Sequence, residues 1–328
     1  MEQAHRYHPA LFWLALLTSV IAFVLIGSGG TVTSTGAGMI DETWSFSFLT
    51  LLLRGVQILK EQLALFIEHS HRLIGFIVGL LALTLAIFGW RLDRELSPRF
   101  FSLKRQRQWI GIAVLLAVSL QGALGAARIL LNGKQGVVST LLGRDYAMIH
   151  GFFGQVTFAF LVGCTLSFSR SWVTRRQDRS PIAEEFQANS KLLTILFLVQ
   201  LTIAVLVRHY GGGLLIIAHA SVAGLILLFV SMVVWRSRRL ESTLVQRPVW
   251  ALGLEVLMMI ALGTAAWWFG AGYGALEDNT PDMHRMTLAT LHQWLGALTL
   301  ATSLIVTLRA HRHLISETTT APTATGAV

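Results

Sequence analysis

Apolar runs of about 20 residues alternate with short polar segments along almost the whole chain, and a run of that length can cross a bilayer as a helix. The pattern therefore predicts eight spanning helices. They lie near Ala10–Gly29, His69–Trp90, Gln108–Ala127, Tyr146–Phe168, Lys191–Val207, Ile216–Trp235, Trp250–Gly270 and Met286–Leu308. The low-complexity tail from residue 315 to residue 328 is predicted to be disordered.

Four histidines interrupt the apolar runs, at His71, His150, His219 and His292, separated by 79, 69 and 73 residues. Each is followed four positions later by Gly or Ala, which a helix places on the same face. Histidine is a common axial ligand of haem iron, and neutral imidazole also suits copper or zinc. The small residues favour a flat macrocycle, and the alternative is four hydrogen-bonded core histidines.

Short segments of the two halves of the chain resemble each other in the same order. The pattern H-x3-G-x2-T-x-A occurs at residues 150–159 and 292–301, residues 123–125 match 261–263, and residues 33–39 align with 208–214. We therefore predict two four-helix bundles, residues 1–170 and 171–314, related by an axis along the membrane normal. The first bundle has an outer insertion, a loop or lid at residues 30–67.

The composition and the placement of charge agree with a membrane protein. Only 13% of the residues are charged and 54% are hydrophobic, against about 25% charged in an ordinary soluble domain. Of the 26 Lys and Arg residues, 18 lie on one predicted side of the membrane. The positive-inside rule then places both termini in the cytoplasm of a protein of the cell (inner) membrane. The net charge of +9 is explained by this orientation, and nucleic acid is not needed as a partner.

The segment Glu68–Arg72 is the densest polar cluster, and Glu68 shares a helix face with His71. Its carboxylate can handle protons beside an iron-ligand position or form an i,i+4 ion pair with Arg72. Arg128 and Arg208 follow two helices near the predicted outer face, where they either anchor the helix ends or bind propionates. His209 is placed in a loop and receives no role.

In the segments Gly29–Met39, Glu68–Arg72, Gln121–Gly125 and Arg208–Leu214, together with the spaced histidines, the chain resembles heme A synthases. The E-x-x-H-R and R-H-x-x-G-G-L elements are the most specific, and the resemblance runs from the first helix to the eighth. It implies an all-α, eight-helix membrane oxidoreductase that converts the C8 methyl group of heme O to the formyl group of heme A for cytochrome oxidase assembly.

By that resemblance, His71 and His150 hold the substrate heme O, and Glu68 is catalytic. His219 and His292 hold the iron of a haem b cofactor, and Arg72, Arg128 and Arg208 are candidate propionate contacts. Implied partners are the lipid bilayer, a heme O synthase and an electron acceptor, a quinone or another. Many members have a cysteine pair in the first outer loop, whereas this chain has only Cys164.

Two alternatives remain open at the level of sequence. One is a bis-histidine dihaem electron carrier or quinol oxidoreductase with no haem substrate, and the other is a transporter built from parallel repeats. Glu68 occurs in one half only, since Ile216 stands at the corresponding position before His219. That asymmetry favours one catalytic site and one redox site.

Overall fold

The computed structural model describes residues 7–40, 62–94, 106–132, 137–174, 177–271 and 283–317. Within those ranges, eight helices are long and apolar enough to cross a membrane. They are α1 (Pro9–Thr35), α2 (Leu63–Arg94), α3 (Gln106–Asn132), α4 (Val137–Phe168), α5 (Ala183–Tyr210), α6 (Gly213–Ser237), α7 (Thr243–Ala271) and α8 (Met283–His313). The prediction of eight spanning helices is confirmed.

Glycines end two of these helices, α1 and α5. Gly36 closes α1 with φ 67°, and its N–H donates to the carbonyl of Val32. Gly211 and Gly212, with φ of 68° and 101°, separate α5 from α6. Since glycine has no Cβ, it adopts this left-handed region readily, and the chain can reverse within two residues.

Neighbouring helices pack in two closed sets of four: α1 contacts α2, α2 contacts α3, α3 contacts α4, and α4 contacts α1, while α5 to α8 do the same. Helices α1 and α4 also pack against α8, and one core of buried side chains runs across both sets. A buried hydrogen bond of 2.9 Å joins the Ser19 and Thr165 hydroxyls of α1 and α4. Hydrogen bonds of this kind hold helices together in lipid.

Large apolar side chains point outward along the helices, as on Leu80, Leu83 and Ile87 of α2. Apolar side chains facing lipid carry no cost, because the surrounding hydrocarbon is equally apolar. With the eight spans, this makes the chain a multi-pass membrane protein. The cytoplasmic location of both termini and the internal repeat stay predictions.

A two-stranded parallel sheet joins the segments that follow α4 and α8. Strand β1 (Asp178–Ser180) pairs with β2 (Leu314–Ser316), and Leu314 is buried. The predicted disordered tail is therefore wrong for Ile315 and Ser316, whose backbone groups are used in this pairing. Residues 318–328 and most of the predicted lid lie outside the described residues.

Candidate functional site

The first histidine pair is formed by α2 and α4, with α1 beside it. The ring centroids of His71 and His150 are 6.4 Å apart, and the rings are nearly perpendicular at 86°. Nδ1 of His71 is hydrogen-bonded to the Ser28 hydroxyl at 2.9 Å. Nδ1 of His150 is buried and has no hydrogen-bond partner among the described residues.

The second pair is formed by α6 and α8. The ring centroids of His219 and His292 are 6.1 Å apart, with 68° between the ring planes. Nδ1 of His292 donates to the Met259 carbonyl at 3.0 Å, a contact that fixes the tautomer and leaves the Nε2 lone pair able to bind a metal. Nδ1 of His219 is buried without a partner in the described part of the chain. Nε2 of Gln200 lies 3.4 Å from Nε2 of His219 and donates to the His219 backbone carbonyl at 3.0 Å.

Both pairs have the separation that two axial imidazoles of one iron require. A metal–imidazole bond of about 2 Å, plus about 1 Å from the nitrogen to the ring centre, puts two such centroids about 6 Å apart. The observed 6.4 and 6.1 Å match this value. In each pair one imidazole, His150 or His219, has its Nδ1 atom buried within the helix bundle.

The number of ligands favours a macrocycle over a bare ion. Among the described residues, no three His, Cys, Asp or Glu side chains come together as a metal site. A structural zinc ion takes about four protein ligands, whereas a porphyrin supplies the in-plane nitrogens itself. Two imidazoles at this separation therefore fit haem iron better than a bare ion.

The glycines that face the imidazoles lie on neighbouring helices. A Cβ added to Gly29 would lie 3.0 Å from Cε1 of His71, and one added to Gly263 would lie 2.9 Å from Cε1 of His292. Gly125 stands in ordinary contact with His150, at 3.5 Å.

The glycines four positions after the histidines, where the sequence predicts cleared space, face other side chains. A Cβ on Gly75, Gly154 or Gly296 would meet Leu25, Ile26 or Met259, at 3.9, 3.6 and 3.3 Å. The clearance beside each ring thus comes from a neighbouring helix, which the i,i+4 spacing does not reveal.

Glu68 is buried, with 3% of its surface exposed, one turn before Arg72 on α2. Nη2 of Arg72 donates to Glu68 Oε1 at 2.6 Å, so the expected i,i+4 ion pair is present. The backbone N–H of Ile40 donates to Glu68 Oε2 at 3.0 Å.

Arg128 and Arg208, the two other candidate propionate contacts, lie in different surroundings. Arg128 is within electrostatic range of His71, His150 and Glu68. Nη2 of Arg208 donates to the Gly30 carbonyl at 3.2 Å and to the Ser34 hydroxyl at 2.8 Å, so Arg208 joins α5 to α1.

The two pairs differ in the polar groups around them. Gln121 on α3 has both side-chain amide atoms buried without a hydrogen-bond partner among the described residues. Met259 stands at the matching position of the second half, two residues before the shared Ala-Leu-Gly segment. The buried carboxylate of Glu68 is what distinguishes the first pair, because the second pair also has a guanidinium in electrostatic range, that of Arg208, and a neighbouring amide with an unsatisfied oxygen, that of Gln200.

Two further polar residues share a cavity with Arg128, although the sequence analysis gave them no role. Arg144 on α4 and His209 near the end of α5 line a cavity that also contains Arg128. His209 is in a helix and not in a loop. The sequence feature that could have drawn attention to His209 is its position in the R-H-x-x-G-G-L element.

Comparison with known proteins finds distant relatives, while no protein-family model matches the chain. The heme A synthase of Shouchella clausii is 27% identical over 166 residues, covering 50% of this chain and 48% of the relative. The heme A synthase of Bacillus licheniformis is 26% identical over 213 residues, covering 63% and 61%. That of Geobacillus kaustophilus is 30% identical over 138 residues, covering 41% and 38%.

The matched segments thus span roughly half the length of these curated relatives. The chain is a distant homologue of heme A synthases.

Proposed function

We propose that this distant homologue of heme A synthases is itself a heme A synthase, which oxidises the C8 methyl group of heme O to a formyl group. The observation that carries the proposal is the presence of two imidazole pairs at iron-ligand separation, only one of which has a buried carboxylate one turn away. A membrane location suits heme O, whose apolar ring and tail partition into the bilayer.

In this proposal His71 and His150 hold the substrate, and His219 and His292 hold the iron of a haem b cofactor. Haem b, when bound, supplies an iron that accepts and donates single electrons. Conversion of a methyl to a formyl group with water as the oxygen source releases four electrons and four protons. An electron acceptor, a quinone or another, takes up the electrons.

Glu68 is the catalytic residue in this proposal, and it receives protons released from the substrate. Arg72 and the Ile40 N–H hold the carboxylate in one orientation. Positioned acids and bases of this type contribute about 10²–10⁴-fold to a rate. Arg128 adds positive charge on the side of the two imidazoles.

A bis-histidine electron carrier is the second candidate, favoured by the close similarity of the two ring separations, 6.4 and 6.1 Å. Pigment extraction from purified protein, followed by chromatography, discriminates between the two functions. Heme O or heme A beside haem B supports the synthase. Haem B as the sole pigment, in cells that make heme O, supports the carrier.

Glu68→Gln tests the catalytic role directly. Glutamine keeps the shape and accepts from Ile40, but it has no negative charge and does not accept a proton. We expect a loss of at least about 10²-fold in heme A formation, with the haem b spectrum unchanged. The measurement is the ratio of heme A to heme O in membranes at matched protein level.

Arg72→Gln is the matched variant, because it breaks the same 2.6 Å ion pair and leaves the carboxylate in place. If the pair served only to stabilise α2, both variants would lower protein yield equally and the heme A to heme O ratio would stay normal. That result would remove Glu68 from the mechanism.

A further inference from the structure

A cavity of about 300 Å³ lies where the end of α1 meets α3, α4 and α5. Its polar lining consists of Thr33 on α1, Arg128 on α3, Arg144 on α4 and His209 on α5, and Gly36 forms part of the wall. Both charged residues of this lining are arginines.

The positive side chains are held close together. His209 is within electrostatic range of Arg128, Arg144 and Arg208. Arg128 and Arg144 on one partly buried cavity repel each other and lose hydration, and their pairing with the neighbouring carboxylates of Glu68 and Asp145 offsets part of this cost. An oxyanion in the cavity would relieve both effects.

Arg144 is fixed toward the cavity by its neighbours. Its guanidinium carbon lies 4.1 Å from the ring centre of Tyr210, and the Tyr210 hydroxyl is hydrogen-bonded to Asp145. Nε of Arg144 is buried and has no hydrogen-bond partner among the described residues, the Asp145 carboxylate being 3.9 Å away. A pre-oriented guanidinium with a free N–H suits a carboxylate, which arginine binds in a planar geometry.

We infer that this cavity binds a carboxylate of the macrocycle held by His71 and His150, with Arg128, Arg144 and His209 as its ligands. The inference rests on the proposed function and extends it to two residues that the sequence left unassigned. Arg128 links the two places, since it lines the cavity and lies within electrostatic range of both imidazoles.

The volume of the cavity agrees with that assignment. Pockets that enclose a whole drug-sized ligand have volumes of about 300 to 1,000 Å³. A whole porphyrin needs more than the lower end of this range. At about 300 Å³, the cavity holds a carboxylate arm while the ring stays between the imidazoles. Because His209 is on α5, binding would tie the second set of helices to the ligand of the first.

The test uses the full chain with His219→Ala and His292→Ala, so that only the first pair takes up haem. Absorption titrations compare ferric haem, with two free carboxylates, against its dimethyl ester, which has none. We expect Arg144→Gln and His209→Asn each to weaken haem binding about tenfold, which is about 1.4 kcal/mol. Binding of the dimethyl ester should stay unchanged.

Arg247→Gln, on α7 and outside the cavity lining, is the control and should alter neither affinity. Equal weakening of haem and its ester by Arg144→Gln and His209→Asn would show a structural effect and overturn the inference, as would no weakening at all. In both cases the proposed function would stand. Failure of the parent protein to bind either compound would overturn both.

Inorganic phosphate distinguishes a macrocycle carboxylate from a free anion or a lipid headgroup. We expect millimolar phosphate to leave the binding of the dimethyl ester unchanged and to compete with haem only weakly. Phosphate that abolishes the difference between haem and its ester would identify a general anion site and overturn the assignment.

Discussion

At the scale of single residues, space beside the imidazoles is set by glycines that leave no room for a methyl group. The position of a Cβ on Gly263 is 2.9 Å from Cε1 of His292, and that of a Cβ on Gly29 is 3.0 Å from Cε1 of His71. A Cβ atom at Gly263 would be closer to the ring than real Cβ atoms come, so His292 has to move, whereas at Gly29 the contact is tight and requires a shift of a few tenths of an ångström. The two glycines therefore act on different histidine pairs.

Gly263→Ala is expected to reduce or alter haem b at the second pair, because overpacking costs about 1–3 kcal/mol and displaces His292. Gly29→Ala should instead disturb the first pair and leave haem b intact. The measurement is haem content by pyridine haemochrome, together with the low-spin spectrum of the purified proteins, with His292→Ala defining complete loss of the ligand.

Gly79→Ala is the control for both variants, since a Cβ at Gly79 meets nothing within 4 Å. Identical spectra of the Gly263→Ala and Gly79→Ala proteins would contradict the placement of the glycine against the ring.

At the scale of elements, α1 is the wall between the two pairs. Its Ser28 is hydrogen-bonded to His71, and a Cβ on the adjacent Gly27 would lie 2.8 Å from Cε2 of Trp294 on α8. Nε1 of Trp294 donates to the Phe23 carbonyl at 2.7 Å, and the two rings stack at 4.8 Å. Since Trp294 is two residues from His292, this packing holds both sites against one helix.

Trp294→Phe should cost about 1 kcal/mol, because it loses the hydrogen bond to Phe23 and keeps the stacked ring. Trp294→Ala should cost about 3–5 kcal/mol, as expected for an aromatic ring removed from a packed interface, and should broaden the spectra of both sites. Thermal unfolding in detergent and haem spectra measure these effects. Trp268→Phe, at a tryptophan 63% exposed on α7, serves as control, and equal effects of all three changes would refute the role of α1.

At the scale of the whole molecule, the distribution of charge predicts which way the eight spans cross the bilayer. The cytoplasmic side is expected to contain the segments after α2 and α6, where arginines are frequent. Reporter fusions after Arg94 and Arg238 should both report cytoplasm. A periplasmic signal at either position would reverse the topology and place the histidine pairs near the inner face.

The eight spans and the four histidines within them follow from the amino-acid pattern of the chain alone. Hydrophobicity over about 20 residues decides membrane insertion, and it can be read from the chain without tertiary contacts. The Glu68–Arg72 ion pair is equally local, because one helical turn separates the two residues.

The groups that surround each imidazole, in contrast, depend on contacts between different helices. Gly29 and Gly263 face rings on other helices, and Ser28 and Met259 provide hydrogen bonds across helix interfaces. His209 lines the same cavity as Arg128, although Arg128 lies more than 80 positions earlier in the chain. Helical periodicity relates residues up to about four positions apart, whereas contacts between helices depend on how each helix is rotated against its neighbours, which the packing of both complete sets decides.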